Sequence, residues 1–394
     1  HGRYDAMTAN MQDGATVKLA CFGDSTTDGT GTTGWTSNPV DGSGNAAGTA
    51  AHTPANAWPA ELQPPLRRMY GNNSIQVWNA GYGGKSIVTG WAYNNFEAAI
   101  IDNPAYGTPD ACLINFGLND MVAAGYSPAA FATELRRMVN MMDVYNVLPV
   151  FVQPDPVIQG TDRQGGDLAA LMSVYSSVAE SLGVEVIDTH TALDRIFSSS
   201  GSNALWAFDQ ADALHFGDKG HRVKASYIAA RLFNKTLFVE KGANTINVAP
   251  FSKYSNSQEL TYSVYSEANN RFGASVNVSS GTYTTGQELL NVWLWSESDE
   301  YDAFWRSVSG DGYYSPRTLA NAPNAEIANY TTGSIVSYKS QTAGGVQQVS
   351  PDRDAEAPNA LGRVTAGLTR LSFYAPLDTN TNQVFLGYFS LKRN

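Results

Sequence analysis

The sequence predicts an α/β domain with a doubly wound parallel sheet, followed by an all-β sandwich or jelly-roll domain. Short apolar runs alternate with helical stretches up to about residue 238, the pattern of parallel strands joined by crossover helices. Beyond about residue 240 the hydrophobic period changes to two, as in half-buried antiparallel strands. The length of 394 residues also exceeds that of a typical single domain. We predict a lead-in at residues 1–16, an α/β domain at 17–240 and a β domain at 241–394.

The parallel strands are predicted from continuous apolar runs, which are typical of strands buried on both faces. They lie at residues 17–22, 75–79, 111–116, 147–152 and 184–187. A helical pattern begins at Trp58, and Pro64-Pro65 is expected to break it because proline removes a donor and clashes with the preceding turn. A short helix is expected after Gly84, and further helices at residues 93–101, 127–145, 167–182 and 218–234.

The helix at 127–145 has the clearest signals. Ser127 is a typical N-cap residue, and Pro128 suits the first helical position. The apolar side chains expected on its buried stripe are Phe131, Leu135, Met138, Val139 and Met142.

The C-terminal part alternates polar residues with aromatic or β-branched ones. The alternating stretches begin at Tyr262, Ala274, Val292, Ile335, Leu371 and Val384. This alternation predicts antiparallel strands with one buried face.

Composition excludes several classes of protein. Charged residues make up 15% of the chain and the net charge is −11, which disfavours binding to nucleic acid and suits an extracellular surface. No apolar run is long enough to cross a membrane, and no signal peptide is recognised, although a start without methionine is consistent with a processed or recombinant chain. Cys21 and Cys112 fall inside predicted strands, where buried thiols are favoured over a disulfide. No spacing resembles a metal site, and no cofactor is expected.

The candidate site begins where the first apolar run ends, in the turn Gly23-Asp24-Ser25. Open α/β sheets place their sites at the carboxyl ends of the strands, so Ser25 is expected to project into a crevice. A serine hydroxyl becomes a nucleophile when a base takes its proton and donors await the developing oxyanion. The turn therefore needs partners elsewhere in the chain.

Three further motifs supply such partners: Asn79-x-Gly81-x-x-Gly84, Gly117-x-Asn119-Asp120 and Asp212-x-x-His215. Together with Gly23-Asp24-Ser25, they resemble the four blocks of the SGNH, or GDSL, hydrolase family over about residues 15–238. The resemblance implies an esterase on a flavodoxin-like sheet. It assigns Ser25 as nucleophile, His215 as base and Asp212 as the residue that orients His215. The implied oxyanion donors are the backbone N–H groups of Ser25 and Gly84 and the side chain of Asn119.

Other residues near these motifs have local roles in this interpretation. The long Gly/Thr-rich segment 30–57 contains Trp35 and His52, which we expect to contact substrate; the alternative is a disordered insertion. His221 is expected to have a local capping or packing role at the start of the last helix, and His190 is expected to make a structural hydrogen bond. Asp24, Asp28 and Asp120 are expected to anchor turns.

The abundance of Trp, Tyr and Asn, the long loop and the appended β domain resemble esterases of bacteriophage tail fibres or spikes. This resemblance implies removal of O-acetyl groups from a bacterial surface polysaccharide. The net charge and the lack of a long apolar run predict no nucleic-acid or membrane partner. The resemblance also implies a virion or extracellular location, secreted if the chain is bacterial, and a homo-oligomer, trimeric if the chain is a phage tail protein. The alternatives are a lipolytic or thioester hydrolase and a glycan-binding adhesin with a vestigial esterase fold.

Overall fold

The computed structural model divides the chain into two compact units, His1–Phe233 and Asn234–Asn394. In the N-terminal unit it describes residues 2–35, 55–103, 106–157, 166–199 and 214–233. In the C-terminal unit it describes residues 234, 236–238, 245–248, 255–257, 274–276, 288–297, 301–306, 324–338, 359–374, 384–386 and 388–393.

A five-stranded parallel sheet forms the centre of the N-terminal unit. Its strands are β1 (Val17–Gly23), β2 (Ile75–Gly81), β3 (Ala111–Asn115), β4 (Leu148–Val152) and β5 (Glu185–Ile187). Their spatial order is β2-β1-β3-β4-β5, and every neighbouring pair is parallel. This is the flavodoxin-like order, so the predicted fold class is confirmed.

Helices connect and flank these strands. They are α1 (Gly2–Gln12), α2 (Ser25–Asp28), α3 (Trp58–Tyr70), α4 (Trp91–Phe96), α5 (Pro128–Val144), α6 (Gly166–Leu182), α7 (Thr189–Ser199) and α8 (Asp218–Arg231). A π-helical turn at Glu97–Ile101 continues α4. Ser127 caps α5 by accepting a hydrogen bond from the Ala130 amide, and all five residues of the predicted stripe are buried.

The first helix was not expected, because residues 1–16 are mostly polar. Met7 and Met11 lie one helical turn apart and are buried, and the ring of Tyr4 lies 5.4 Å from that of Phe233. Two methionines and a tyrosine on one face are enough to fix a helix when a neighbouring surface receives them. Helix α7 was likewise not predicted.

Two local predictions were wrong. Helix α3 continues through Pro64 and Pro65. Its Leu62, Leu66 and Met69 are fully buried, and this packing outweighs the backbone hydrogen bonds that the prolines remove. The short helix expected after Gly84 is absent. Residues 85–90 form turns that are hydrogen-bonded to Asp120 in the loop after β3.

The C-terminal unit is a β domain, as predicted. Its strands are β6 (Leu237–Phe238), β7 (Thr245–Val248), β8 (Ser255–Ser257), β9 (Ala274–Val276), β10 (Glu288–Ser296), β11 (Tyr301–Arg306), β12 (Asn324–Asn329), β13 (Ser334–Tyr338), β14 (Asn359–Val364), β15 (Gly367–Tyr374), β16 (Val384–Leu386) and β17 (Tyr388–Arg393). One sheet has the order β13-β12-β15-β10-β6, with β8 also paired to β10, and a second has the order β14-β11-β17-β7. A further pair is β16-β9. The pairing of β6 with β10 is parallel, so the first sheet is mixed rather than wholly antiparallel.

The cysteines behave as small apolar side chains, which confirms the favoured interpretation. Cys21 on β1 and Cys112 on β3 are both buried and free. Burial raises the pKa of each thiol well above its usual range, so both are inert at neutral pH. Among the described residues, no helix is both long and apolar enough to cross a bilayer.

Candidate active site

The predicted site residues follow three neighbouring strands at one edge of the parallel sheet. Ser25 comes directly after β1, Gly84 lies in the loop after β2, and Asn119 lies in the loop after β3. Strand β1 lies between β2 and β3, and Gly23 at its end pairs with Gly81 and Asn115. Because the carboxyl ends of parallel strands meet at one edge, the three loops are adjacent.

The structure brings Ser25 and His215 together, although 190 positions separate them in the sequence. Ser25 Oγ lies 2.8 Å from His215 Nε2, and His215 is almost fully buried while Ser25 is partly exposed. When Nε2 is unprotonated, it can accept the hydroxyl hydrogen. Asp212, which the family resemblance assigns to orient His215, lies outside the described residues, as does His52.

The turn that carries Ser25, residues 23–29, is held by its own side chains. Asp24 caps α2, its Oδ1 accepting from the Thr26 amide at 2.9 Å and from the Thr26 hydroxyl at 2.8 Å. A Cβ atom at Gly23 would lie 2.1 Å from Thr27 Oγ1 and 2.4 Å from the Asn115 carbonyl oxygen. Only glycine therefore permits this close approach, and Asp24 acts as the turn anchor that the sequence predicts.

Asp28 connects the end of α2 to two flanking segments. Its carbonyl oxygen accepts from Asn79 Nδ2 at 3.1 Å, which ties the second motif to the turn. Its carboxylate accepts from Trp35 Nε1 at 2.8 Å. Trp35 is therefore held beside the turn that carries Ser25, while the residues that follow it lie outside the described part of the chain.

The loop after β2, residues 82–90, is fastened to the loop after β3. Gly84 has φ +73°, a left-handed conformation that favours glycine. Asn119 Nδ2 donates to the Lys85 carbonyl at 3.2 Å, and a carboxamide nitrogen has a second N–H that remains available to an oxyanion. Asp120 Oδ1 accepts from the amides of Ile87 at 2.8 Å and Val88 at 2.6 Å, confirming its anchoring role.

The environment of Asp120 perturbs its titration. Burial is the main cause, and it raises the pKa of this carboxyl to about 7 despite the hydrogen bonds from Val88 and Ile87, which act in the opposite direction. The second carboxyl oxygen, Oδ2, is buried without a hydrogen-bond partner.

Aromatic side chains pack under these loops. Phe22 lies at the centre, with ring centroids 6.2 Å from Tyr82, 6.3 Å from Trp91 and 5.0 Å from Phe116. Tyr82 and Trp91 also contact each other at 4.8 Å. Such packing restricts the loops that carry the candidate oxyanion donors.

The other two described histidines make structural hydrogen bonds, which was the prediction for His190, whereas His221 was expected to cap or pack locally. His221 Nδ1 accepts from the Trp58 amide at 3.0 Å, and burial, reinforced by the charge of Lys224, lowers its pKa well below the usual range. His190 Nδ1 lies 3.3 Å from the Pro154 carbonyl oxygen.

Three polar residues under the site were not predicted from the sequence: Asn115, Asp155 and Lys224. Lys224 is fully buried, and its Nζ lies 2.7 Å from Asn115 Oδ1 and 2.8 Å from Asp155 Oδ1. Burial raises the pKa of the Asp155 carboxyl, and the Lys224 charge opposes that shift. Asn115 ends β3 and Asp155 follows β4, the edge where functional side chains collect, so their positions were a usable signal. Lys224 lies on a helix and gave no such signal.

This arrangement can perform acyl transfer. A serine hydroxyl faces an imidazole nitrogen at hydrogen-bond distance, and loops with candidate oxyanion donors lie next to it. Among the described residues, no group of three or more His, Cys, Asp or Glu side chains is arranged to hold a metal ion.

Comparisons with known proteins find one esterase of similar sequence and several solved structures of similar fold. The isoamyl acetate-hydrolyzing esterase of Saccharomyces cerevisiae is 27% identical over 122 residues, which cover 28% of this chain and 51% of the yeast protein. The crystal structure of tail fiber protein gp63.1 from an E. coli phage has a TM-score of 0.66 at 17% identity, covering 99% of this chain and 48% of that chain. A two-domain esterase (CEX) active on acetylated mannans has a TM-score of 0.42 at 13% identity, covering 100% and 96% of the two chains.

The matches to the yeast and phage proteins span about half the length of each. At 17% identity, the phage protein shows a shared fold alone. The sequence pattern of the GDSL-like lipase/acylhydrolase family matches residues 21–223, which is more than half of the chain and includes Ser25, Gly84, Asn119 and His215. The chain is therefore a member of the GDSL-like lipase/acylhydrolase family.

Proposed function

We propose that the protein is a serine esterase that removes O-acetyl groups from a carbohydrate, in particular a bacterial surface polysaccharide, through an acetyl-enzyme intermediate. The observation that carries the proposal is the 2.8 Å contact between Ser25 Oγ and His215 Nε2 at the carboxyl edge of the parallel sheet. A binding module has no need of a serine held against an imidazole, so this contact favours an enzyme over an adhesin.

In the proposed reaction, Ser25 Oγ attacks the acetyl carbonyl carbon and its proton passes to His215 Nε2. The carbonyl oxygen becomes an oxyanion that accepts from the Ser25 and Gly84 amides and from the Asn119 side chain. The bond between the acetyl carbon and the sugar oxygen then breaks, and His215 gives the proton to that oxygen. Water then attacks the acetyl-enzyme, His215 takes a proton from that water, and acetate is released as the proton returns to Ser25. Asp212 is proposed to orient His215.

The acetyl group is supported by the yeast relative, whose name describes hydrolysis of an acetate ester. The polymeric substrate is supported by the likeness of almost the whole chain to a phage tail fibre protein and by the β domain that follows the catalytic unit. We propose that Trp35, held beside the catalytic turn by Asp28, contacts the substrate together with His52. A virion location and a trimeric assembly belong to the same proposal.

A second candidate function is hydrolysis of acetate esters of small apolar alcohols, which the yeast relative favours. The two candidates differ in the alcohol that leaves. Acetate release from a panel of acetylated polysaccharides, measured beside release from isoamyl acetate, separates them. Faster turnover of isoamyl acetate than of every acetylated glycan would contradict the carbohydrate proposal.

The nucleophile is tested by Ser25→Ala. We expect turnover of p-nitrophenyl acetate to fall by about 10³-fold or more while the variant stays folded, because the loss of one member of a catalytic unit disables the whole unit. Ser173→Ala, at an exposed serine on α6, is the matched control and should keep wild-type turnover. Wild-type turnover in folded Ser25→Ala would remove the proposal.

A further inference from the structure

A lysine that is completely buried lies beneath the candidate active site. Lys224 has 0% side-chain exposure, and Asp155, whose Oδ1 lies 2.8 Å from Nζ, has 2%. Nζ also lies 5.2 Å from the centre of the Trp58 ring. Lysine is almost never fully buried unless it is paired, so this position requires an explanation.

Asn115 links Lys224 to the helix that carries Ser25. Its Oδ1 accepts from Lys224 Nζ at 2.7 Å and from the Thr27 hydroxyl at 3.0 Å, with a longer contact of 3.4 Å from the Thr26 hydroxyl. Its Nδ2 donates to the carbonyl oxygens of Val152 and Gln153, each at 3.1 Å. Both ends of this carboxamide are therefore fixed, and α2 is anchored through Thr27.

The other end of the connection is α8. This helix begins at Asp218, three residues after His215, and it carries Lys224. A chain of polar contacts thus runs from the helix that follows the candidate base, through Lys224 and Asn115, to the helix that carries the candidate nucleophile. We define Lys224, Asp155, Asn115 and Thr27 as the Lys224 network.

We propose that Lys224 is a positioning residue that acts through Asn115 and Thr27 to fix the position of Ser25 relative to His215. The proposal rests on the catalytic roles assigned above to those two residues. Displacement of a reacting group by about 1 Å can lower the rate by about 10²-fold. A buried connection that fixes α2 relative to α8 therefore has a direct catalytic consequence.

An ion pair in this place is poorly explained by stability. Replacing a buried ion pair with apolar residues of similar volume is often neutral or stabilising, whereas removing one partner leaves an unpaired buried charge. The informative variant is therefore the double replacement Asp155→Leu/Lys224→Met. We expect it to fold with an unchanged or raised unfolding midpoint, and to lose about 10- to 100-fold in kcat for p-nitrophenyl acetate with KM within about threefold of wild type.

The matched control is Glu61→Gln/Arg222→Gln. It removes a partly exposed ion pair of 3.3 Å between α8 and α3, and it should leave kcat unchanged. Thr27→Val cuts the network at its other end and should reduce kcat to a similar extent, whereas Thr27→Ser, which keeps the hydroxyl, should restore most of it. Adding Thr27→Val to the double variant should lower kcat little further, because the double replacement and Thr27→Val break the same connection.

Two kinds of result would overturn the inference. One is wild-type kcat in folded Asp155→Leu/Lys224→Met, or in Thr27→Val if the former does not fold. The other is a triple variant whose loss in kcat equals the product of the losses in the double variant and in Thr27→Val. The rate at which a fluorophosphonate labels Ser25 is measured in the same proteins, because it reports the reactivity of the nucleophile without any ester substrate. If wild type hydrolyses no acetate ester but the labelling rates follow the predicted order, the proposed substrate fails and the network stands.

Discussion

Asn119 carries a carboxamide whose two N–H groups can serve different partners. One donates to the Lys85 carbonyl at 3.2 Å, which fixes the orientation of the amide and the position of the loop that contains Gly84. In the proposed reaction, the other donates to the charge that develops on the substrate oxygen. The local bond therefore places the donor in advance, and prior placement is what makes an oxyanion hole effective.

The corresponding prediction is that Asn119→Ala lowers kcat by about 10²- to 10³-fold with little change in KM, because the lost interaction strengthens only in the transition state. Steady-state kinetics on p-nitrophenyl acetate measure both constants. Asn94→Ala, at an exposed asparagine on α4, is the control and should keep wild-type values. A loss confined to KM would instead make Asn119 a residue that binds the ground state.

Asp120 predicts a pH dependence of stability. Burial raises its pKa to about 7, so the folded protein holds a proton that the unfolded chain releases near pH 4. Between these values the folded state binds more protons, and the free energy of unfolding falls as the pH rises toward 7. Asp120→Asn cannot ionise and should therefore lose less stability than wild type between pH 5 and pH 8.

Urea unfolding at both pH values measures this difference. The buried His221 has its pKa lowered, which gives the opposite slope, but it is present in both proteins and cancels in the comparison. Asp13→Asn, at an exposed carboxyl, is the control for the loss of one negative charge. Identical slopes in wild type and Asp120→Asn would show that Asp120 is ionised across the range.

The sequence predicted the residues that the proposed reaction requires and missed the polar residues that pack beneath them. Ser25, Asn119 and His215 stand in short motifs, and the turn anchors Asp24 and Asp120 follow from the local hydrogen bonding of aspartate. The Lys224 network joins residues of α2, β3 and α8 with a residue of the loop after β4. Its existence depends on the order of the strands and on the packing of α8, which no local pattern contains.

Among the elements, those with strong periodicity and caps were predicted closely. Helix α5 has both, and it begins at Pro128 with the predicted buried stripe. Helices α1 and α3 were misjudged for related reasons. In each, tertiary packing of a few apolar side chains outweighs a weak local signal, which was polar composition in α1 and consecutive prolines in α3.

Helix α3 provides a prediction because its two prolines have different surroundings. Pro64 is exposed in the interior of the helix and Pro65 is buried. Pro64→Ala restores a backbone donor and should raise the unfolding free energy by up to about 3 kcal/mol, reduced by the greater freedom of the unfolded chain. Pro65→Ala also removes buried contacts and should gain less or be destabilising. Thermal unfolding of both variants tests this order, and a lower midpoint for Pro64→Ala than for wild type would contradict it.

In the whole molecule, the elements of the candidate site lie within one of two compact units. The residues from Ser25 to His215 that the structure describes belong to the unit His1–Phe233, and the strands from β6 onward belong to the other. The C-terminal unit contains large aromatic side chains such as Trp293 and Trp295, but both are buried, which makes them core residues rather than platforms for a sugar ring. Any contribution of this unit to substrate binding must come from other residues or from assembly.

The division between the units therefore leads to a prediction about substrate size. A protein that ends at Asn234 keeps every described residue of the candidate site, and it removes β6 together with its partner β10. We expect it to hydrolyse p-nitrophenyl acetate at close to the full-length rate and to lose most of its activity on acetylated polysaccharide. The physical reason is that a second binding surface, or several sites in an oligomer, raises the local concentration of a polymer without changing the chemistry at Ser25. Full-length Ser25→Ala supplies the background for both substrates. Equal retention of the two activities would leave the β domain with a structural or attachment role, and loss of both in a folded protein would show that the catalytic unit depends on its neighbour.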